Sequence, residues 1–399
     1  MIEISSDRVW VITELFPPEE TSTGYIMGEI AYALSSKYKV GVICGPEVYD
    51  KNKQVNKTQP HLKNNNLDIN RVESIKENKH SVISRAKKFL IISWRIYKIA
   101  KQKIQDGDKV LMVTNPFPLI LLMGRLRKKR NFTLNLLVHD IAPEGLFTDI
   151  KIPNLIYNLF LKIFNIAYSR TDQLISIGRD MSEILDNKCK FYKRNPKITL
   201  IENWSDTDTI KPGKPFIHDK ITIQYAGNIG NAQGVEEFVD AIYSAKCESL
   251  KFSIWGTGSA EKAIKDKVRI LGMEKLVSFN GPFRRSEQQS VLNNCDIALV
   301  RLVEGMYGLG VPSKTYNILS AGKPILYIGE RNTEIWRVIE ENKNGFCFEP
   351  SDISGLITFL KSLSIEFRKE LIEMGKISRK LAEERYSKEI ILNKFLNVL

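Results

Sequence analysis

The sequence predicts an α/β protein built of two Rossmann-like halves, each a parallel sheet wrapped by helices, facing a central cleft. Three observations predict it. Short apolar runs of strand length alternate with amphipathic stretches of helix length along most of the chain, the pattern of β-α-β crossovers and hence of parallel strands. Pro212, Gly213 and Pro215 break that alternation near the middle, in a stretch (205–219) that reads as a linker. The 399 residues, 43% of them apolar, suffice for two cores at ~100–200 residues per domain.

The first half opens with a strand over Val9–Thr13, a loop holding Pro17, Pro18 and Gly24, and a helix over Tyr25–Ser36 with Ile26, Ile30, Ala33 and Leu34 as its apolar positions. A strand over Lys39–Cys44 stops at Gly45-Pro46, and Lys109–Val113, Phe132–Val138 and Gln173–Ile177 read as further buried strands. Residues 50–80 are polar, rich in Asn and Lys, and read as a mobile excursion. Residues 81–105 read as a basic amphipathic helix, where Phe89, Ile92, Trp94, Ile96, Tyr97 and Ile99 mix with Arg85, Lys87, Lys88, Arg95, Lys98, Lys101 and Lys103. In the second half, strands are expected at Ile221–Tyr225, Phe252–Trp255, Val277–Asn280, Ile297–Val300 and Pro324–Ile328. Helices are expected at Val235–Ala245, Ala260–Leu271 and Thr315–Ser320. The expected domains are 1–205, 206–375, and a C-terminal helix in 376–399 packing back on the first domain.

Composition excludes several classes. Five cysteines stand far apart without a C-x-x-C pair, so neither a disulfide framework nor a zinc site is expected, and a reducing compartment fits. Glu14 closes the apolar run at Val9–Thr13 and no basic region precedes it, so no secretory signal is expected. The apolar stretches Phe89–Trp94 and Pro116–Gly124 fall short of the ~20 residues that span a bilayer. A soluble or peripheral cytoplasmic protein is therefore expected. Net charge is +13, yet residues 51–130 alone hold 20 basic and 5 acidic side chains. Such a segment favours an anionic surface, either nucleic acid or acidic lipid.

A dinucleotide-binding oxidoreductase needs G-x-G-x-x-G directly after its first strand, and Gly24 is the only glycine in reach of Thr13. The second half offers more. Tyr225-Ala-Gly-Asn-Ile-Gly230 follows a strand and precedes a helix, Trp255-Gly-Thr-Gly258 repeats the arrangement, and Gly310-Val-Pro-Ser-Lys314 precedes a third helix. Glycines there let backbone N–H groups approach a ligand at the positive end of a helix. All three motifs converge on the carboxyl end of one sheet, where ligands of such folds bind.

The order of motifs resembles the retaining family-4 glycosyltransferases of GT-B fold, in the branch that builds bacterial surface polysaccharides and includes N-acetyl-fucosamine transferases. The residues that carry the resemblance are Pro17-Pro-Glu19 with Ser22-Thr-Gly24, His139-Asp-Ile-Ala-Pro-Glu144, Ile201-Glu-Asn-Trp-Ser-Asp206, Gly227-Asn-Ile-Gly230 with Gln233-Gly234, and, most strongly, Pro312-Ser-Lys-Thr-Tyr-Asn-Ile-Leu-Ser-Ala-Gly-Lys-Pro324. The resemblance implies an acceptor on the first domain and a nucleotide sugar on the second. It implies donor contacts from Gly24, in a loop over Thr21–Tyr25, and from Gly227, Asn228, Gln233, Gly256, Gly258, Glu304, Ser313, Lys314, Tyr316 and Asn317. Lys314, Ser313 and the amides after them would meet the diphosphate, since a cation suits a leaving group that gains negative charge. Thr23 and Glu144 fall on the acceptor side. His139 and Asp140, at the end of a strand, are the catalytic candidates, able to hydrogen-bond and orient a sugar hydroxyl.

The sequence also departs from the commoner family pattern. Asn228 and Gln233 stand where a basic pair is usual. Asn317 stands at the second of two glutamates eight residues apart and Leu309 at the first, with Glu304 able to supply that carboxylate from a shifted loop. Lys314 then carries more of the charge neutralisation. The D-x-D patterns Asp106-Gly-Asp108 and Asp206-Thr-Asp208 precede a strand and border the linker, so both read as structural and no metal or other cofactor is expected. The expected reaction is transfer from a nucleotide sugar, UDP-linked, to a lipid-linked saccharide at the inner membrane face. An anionic membrane surface would be held by Lys87, Lys88, Trp94, Arg95, Lys98, Arg127, Lys128 and Lys129. The alternatives are a GT-B-type nucleotide-sugar 2-epimerase, for which the basic segment has no role, and a nucleic-acid-binding protein, for which no zinc spacing or aromatic RNA-binding pattern accompanies the charge.

Overall fold

The computed structural model describes residues 7–19, 21–47, 67–73, 82–146, 152–190, 192, 195–214 and 219–399. Most of the polar stretch 50–80 and part of the linker at 215–218 lie outside them. The chain divides into two compact units. The first comprises Met1–Ile201, Gly308–Gly310 and Leu392–Leu399, the second Glu202–Tyr307 and Val311–Ile391.

The first unit runs β1 (Arg8–Thr13), α1 (Ser22–Ser35), β2 (Lys39–Cys44), β3 (Asp68–Arg71), α2 (Val82–Lys103), β4 (Lys109–Val113), α3 (Pro118–Arg127), β5 (Thr133–Val138), α4 (Asn154–Tyr168), β6 (Gln173–Ser176), α5 (Arg179–Cys189) and β7 (Lys197–Leu200). Among the described residues its sheet has seven parallel strands in the order β3-β2-β1-β4-β5-β6-β7. The inner strands are apolar on both faces, and Val9, Trp10, Val11 and Ile12 are fully buried, as a parallel sheet covered by helices requires. Chain order reverses between β1 and β4, which opens a crevice at their carboxyl ends. The stretch Thr21–Tyr25, read as a loop, is instead the start of α1. Thr21 caps that helix, its Oγ1 accepting from the Gly24 N–H at 3.1 Å.

The second unit runs β8 (Ile221–Ala226), α6 (Val235–Ala245), β9 (Leu250–Trp255), α7 (Glu261–Ile270), β10 (Val277–Phe279), α8 (Gln288–Asn293), β11 (Ile297–Arg301), α9 (Lys314–Ser320), β12 (Ile325–Ile328), α10 (Glu334–Asn342), β13 (Gly345–Phe348), α11 (Ile353–Ser362) and α12 (Arg368–Glu384), and α13 (Lys388–Val398) begins in it. Among the described residues its sheet has six parallel strands in the order β10-β9-β8-β11-β12-β13. Here the reversal falls between β8 and β11. One core packs α6, α7 and α11 on the sheet, and a second packs α9, α10 and α12 on its other face. The C-terminal segment 376–399 does not join the first unit as one piece. α12 packs on α9, Tyr386 lies in the second core, and only residues 392–399 belong to the first unit, where the Leu396 carbonyl accepts from Lys37 Nζ at 2.9 Å.

Candidate active site

In the second unit, the topological reversal brings together the ends of β8 and β11. Gly227, directly after β8, has φ +147°, and a Cβ there would come within 3.2 Å of Lys314 Nζ. Lys314 begins α9, and its Nζ lies 3.7 Å from the centroid of the Tyr225 ring. That ammonium is buried and has no hydrogen-bond acceptor. Burial pushes its pKa down to about 7, because a charge without solvent or counter-ion is disfavoured. A ring face compensates only in part. Ser313 flanks it but makes no capping bond, and α9 has seven residues, so its dipole adds little beyond the lysine.

The sequence reading missed a second cation. Arg301 closes β11, where the apolar run Ile297-Ala-Leu-Val stops at a guanidinium. Its side chain is 7% exposed, Nη1 pairs with Glu237 Oε2 at 2.8 Å, and Nε is buried without an acceptor. Gly234 makes room for it. Gly234 has φ +56°, and a Cβ would lie 1.6 Å from Arg301 Nη1. An arginine ending an apolar run of strand length was the available signal.

Several of the expected donor residues have structural work in this fold. Gln233 Oε1 accepts from the Gly230 N–H at 3.0 Å and from Asn228 Nδ2 at 3.4 Å, so this pair shapes the turn. Gly256 and Gly258 let the β9 loop lie against the β8 loop, with the Gly227 N–H donating to the Trp255 carbonyl and the Ile229 N–H to the Thr257 carbonyl, both at 3.0 Å. Tyr316 is 2% exposed, packs its ring against Tyr386 and belongs to the core, not to a ligand surface. Asn317 Oδ1 accepts from the Asp206 N–H at 3.3 Å, and Ser205 Oγ donates to the Tyr316 carbonyl at 2.6 Å. The motif Ile201–Asp206 thus anchors α9. Glu304 stands exposed on the loop after β11.

In the first unit, His139 and Asp140 follow β5. Both backbone N–H groups reach Thr114 Oγ1, at 3.3 and 3.4 Å, which ties the end of β5 to the end of β4. His139 Nε2 is buried without a partner, and burial pushes the imidazole down to about 4. At neutral pH it is an uncharged ring. Asp140 keeps solvent access, yet the surrounding protein removes enough water to push its carboxyl up to about 6. Glu144 Oε1 accepts from the buried Lys188 ammonium at 2.6 Å, while its Oε2 is buried without a partner. Thr23 is half-buried in the first turn of α1, and a Cβ on the buried Gly24 would come within 2.8 Å of the Glu19 carbonyl.

Three of the D-x-D carboxylates are engaged within the fold. Asp108 accepts from Trp10 Nε1 and the Gln105 N–H, Asp106 from the Asn131 N–H, and Asp206 pairs with Arg285. Among the described residues no group of three or more His, Cys, Asp and Glu is arranged to hold a metal ion. Two residues expected at a membrane are also structural. Lys88 is 4% exposed, and Arg127 makes a two-point pair with Asp172, at 2.8 and 3.0 Å, that bridges the start of β6. Arg95 is half-buried and donates to the Glu73 carbonyl at 2.9 Å. Lys87, Trp94, Lys98, Lys128 and Lys129 are exposed.

Residues 220–364 match the family described as Glycosyl transferases group 1. The chain is 30% identical to the probable glycosyltransferase WbjE of Pseudomonas aeruginosa over 400 residues, covering 97% of this chain and 96% of that one. It is 26% identical over 213 residues to the putative colanic acid biosynthesis glycosyl transferase WcaI of Escherichia coli K12, covering 50% of this chain and 51% of that one. The structure of Anabaena HepE in complex with UDP superposes with a TM-score of 0.69 at 13% identity, over 98% of this chain and 99% of that one. Two Rossmann-like units of parallel strands, shared with such proteins, are the GT-B fold, and the chain belongs to the group 1 glycosyltransferases.

Proposed function

We propose that this enzyme transfers a sugar, with retention of configuration, from a UDP-linked donor held by the second unit to a lipid-linked saccharide held by the first. On this reading it works in surface-polysaccharide assembly as a peripheral protein of the inner membrane face. The observation that carries the donor half is the Lys314 ammonium, buried beside Gly227 without an acceptor. An orphaned buried cation is costly, and a diphosphate oxygen is the acceptor that the nearby glycine leaves room for. Arg301 supplies a second cation at the same reversal of the sheet, where Asn228 and Gln233 supply none. The UDP complex of HepE supports the donor class, the name of WbjE supports sugar transfer, and the name of WcaI supports the polysaccharide setting.

The reaction breaks the bond between the anomeric carbon and the diphosphate oxygen and forms one to an acceptor oxygen on the same face. The leaving phosphate takes the acceptor proton, so no dedicated protein base is needed. Lys314 holds the negative charge that gathers on the diphosphate. His139, uncharged at neutral pH, offers a hydrogen bond to a sugar hydroxyl, and Asp140 orients one. Lys314→Ala should weaken UDP binding by ~1.5–3 kcal/mol, the range for hydrogen bonds to charged groups, and leave uridine binding unchanged in titration calorimetry. Equal losses for the two ligands refute the assignment.

A further inference from the structure

The most exposed apolar surface of the described residues lies outside every site above. α4 turns Phe164, Ala167 and Tyr168 into the first unit. Its opposite face presents Leu155 (83% exposed), Ile156 (45%), Leu159 (58%), Phe160 (39%) and Ile163 (36%) to solvent. Residues 155, 159 and 163, with 156 and 160 beside them, are spaced four apart and form one continuous ridge. Scattered exposed apolar side chains need no explanation, but a contiguous ridge marks an interaction surface. α3 packs against both α4 and α2. α2 repeats the pattern, with Leu90 (59%), Ile91 (42%) and Trp94 (50%) exposed and Lys87, Lys98 and Lys101 exposed around them. Lys98 Nζ lies 5.9 Å from the Trp94 ring centroid. Arg125, Lys128 and Lys129, at the end of α3, are exposed as well. Not one Asp or Glu occurs in α2, α3 or α4.

We infer that the outer face of α4 is a ridge that inserts into an anionic lipid bilayer, with the exposed face of α2 entering beside it and the cations of α2 and α3 meeting the headgroups. The charge settles the occupant. Apolar side chains rimmed by cations and free of carboxylates complement a surface with negative headgroups over an apolar interior. None of the described helices is long and apolar enough to cross a membrane, and in this proposal α2 and α4 lie in the plane of the interface. The inference rests on the proposed lipid-linked acceptor for its purpose, and to the mostly basic residues of α2 and the α3 end that the sequence pointed to it adds an apolar face on α4.

Vesicles of equal parts phosphatidylglycerol and phosphatidylcholine, and of phosphatidylcholine alone, test it by sedimentation. The wild-type protein should bind the anionic vesicles. The double variant Leu159→Glu/Ile163→Glu should bind them at least roughly tenfold less well, since burial of apolar area drives interfacial binding, while Leu159→Met/Ile163→Leu binds normally. Both positions are solvent-exposed, so unfolding temperature and the thermal shift produced by UDP should be unchanged in both variants. The ridge is refuted if the double-Glu variant binds anionic vesicles as wild type does, or if no form of the protein binds them. It is equally refuted if the wild type self-associates through this face, shown by sedimentation velocity as a dimer that the double-Glu variant loses while vesicle binding persists. Failure of UDP to stabilise even the wild type counts against the donor reading and leaves the vesicle result to stand by itself.

Discussion

Lys314 is a cation in a place that disfavours one, and its titration follows from that. Burial pushes it to about 7 in the free protein, so at pH 8 the amine is mostly uncharged. A diphosphate favours the charged form and raises the pKa again. UDP binding at pH 8 should therefore take up close to one proton, measured as a dependence of calorimetric heat on buffer ionisation enthalpy, and affinity should fall as pH rises above 7. Proton release on binding contradicts the contact. For stability the sign is that of a depressed base: its contribution is complete above the lysine's ordinary value and is lost as pH falls through about 7. Asp140 has the opposite character. Its carboxyl is raised to about 6, so it favours the folded state below the ordinary carboxylate range and that contribution disappears as pH rises through about 6. If the carboxylate orients the acceptor, turnover falls as pH drops through about 6, and Asp140→Asn abolishes that limb. His139, at about 4, contributes no limb in that range. Lys314 and His139 stand out in the sequence because motif and position mark them, and the structure buries an unpartnered nitrogen on each. The packing of Tyr316 and the bonds made by Gln233 and Glu144 were not legible, because a place in a motif says nothing about which way a side chain packs, and the buried Arg301 lies in no motif.

Elements were legible where burial imposes a pattern. Lys39–Cys44 and Lys109–Val113 fall where the apolar runs put them, because a strand between two helical layers must be apolar throughout, and α6 falls at Val235–Ala245 because one of its faces is apolar. β3 escaped notice because Asp-Ile-Asn-Arg is an edge strand with a single apolar residue. α4 escaped for the reverse reason. Asn-Leu-Ile-Tyr-Asn-Leu-Phe-Leu-Lys-Ile-Phe carries apolar residues on every side, and periodicity cannot tell a buried face from one left to another phase. The junction of β11 and α6 offers a test at this scale. Gly234 holds a left-handed conformation and leaves the volume that Arg301 fills. Gly234→Ala should lower unfolding stability by ~1–3 kcal/mol, the cost of a non-glycine residue in a sparsely populated conformation under local crowding, read from denaturant melts. Combining it with Arg301→Ala should cost less than the two separate losses added together, because removing the guanidinium removes the overlap. Strict additivity means that Arg301 and Gly234 do not share the space.

At the scale of the molecule, the described cations of residues 82–130 divide into two populations that composition cannot separate. Lys88 and Arg127 are built into the fold, whereas Lys87, Lys98, Lys128 and Lys129 face solvent. Replacing those four with Glu should eliminate low-salt binding to anionic vesicles without changing the melting temperature, each base contributing ~1 kcal/mol near such a surface and less as salt shortens the Debye length. Lys88→Glu should instead lower the melting temperature. Equal behaviour of the two sets contradicts the division. The division into units also sets an order of events at the ribosome. Residues 392–399, with the Leu396 carbonyl that Lys37 reaches, belong to the first unit, yet translation delivers them only after the whole second unit has been made. Domains ordinarily fold in turn as they emerge. Here the half that is synthesised first is completed only by residues made after the second.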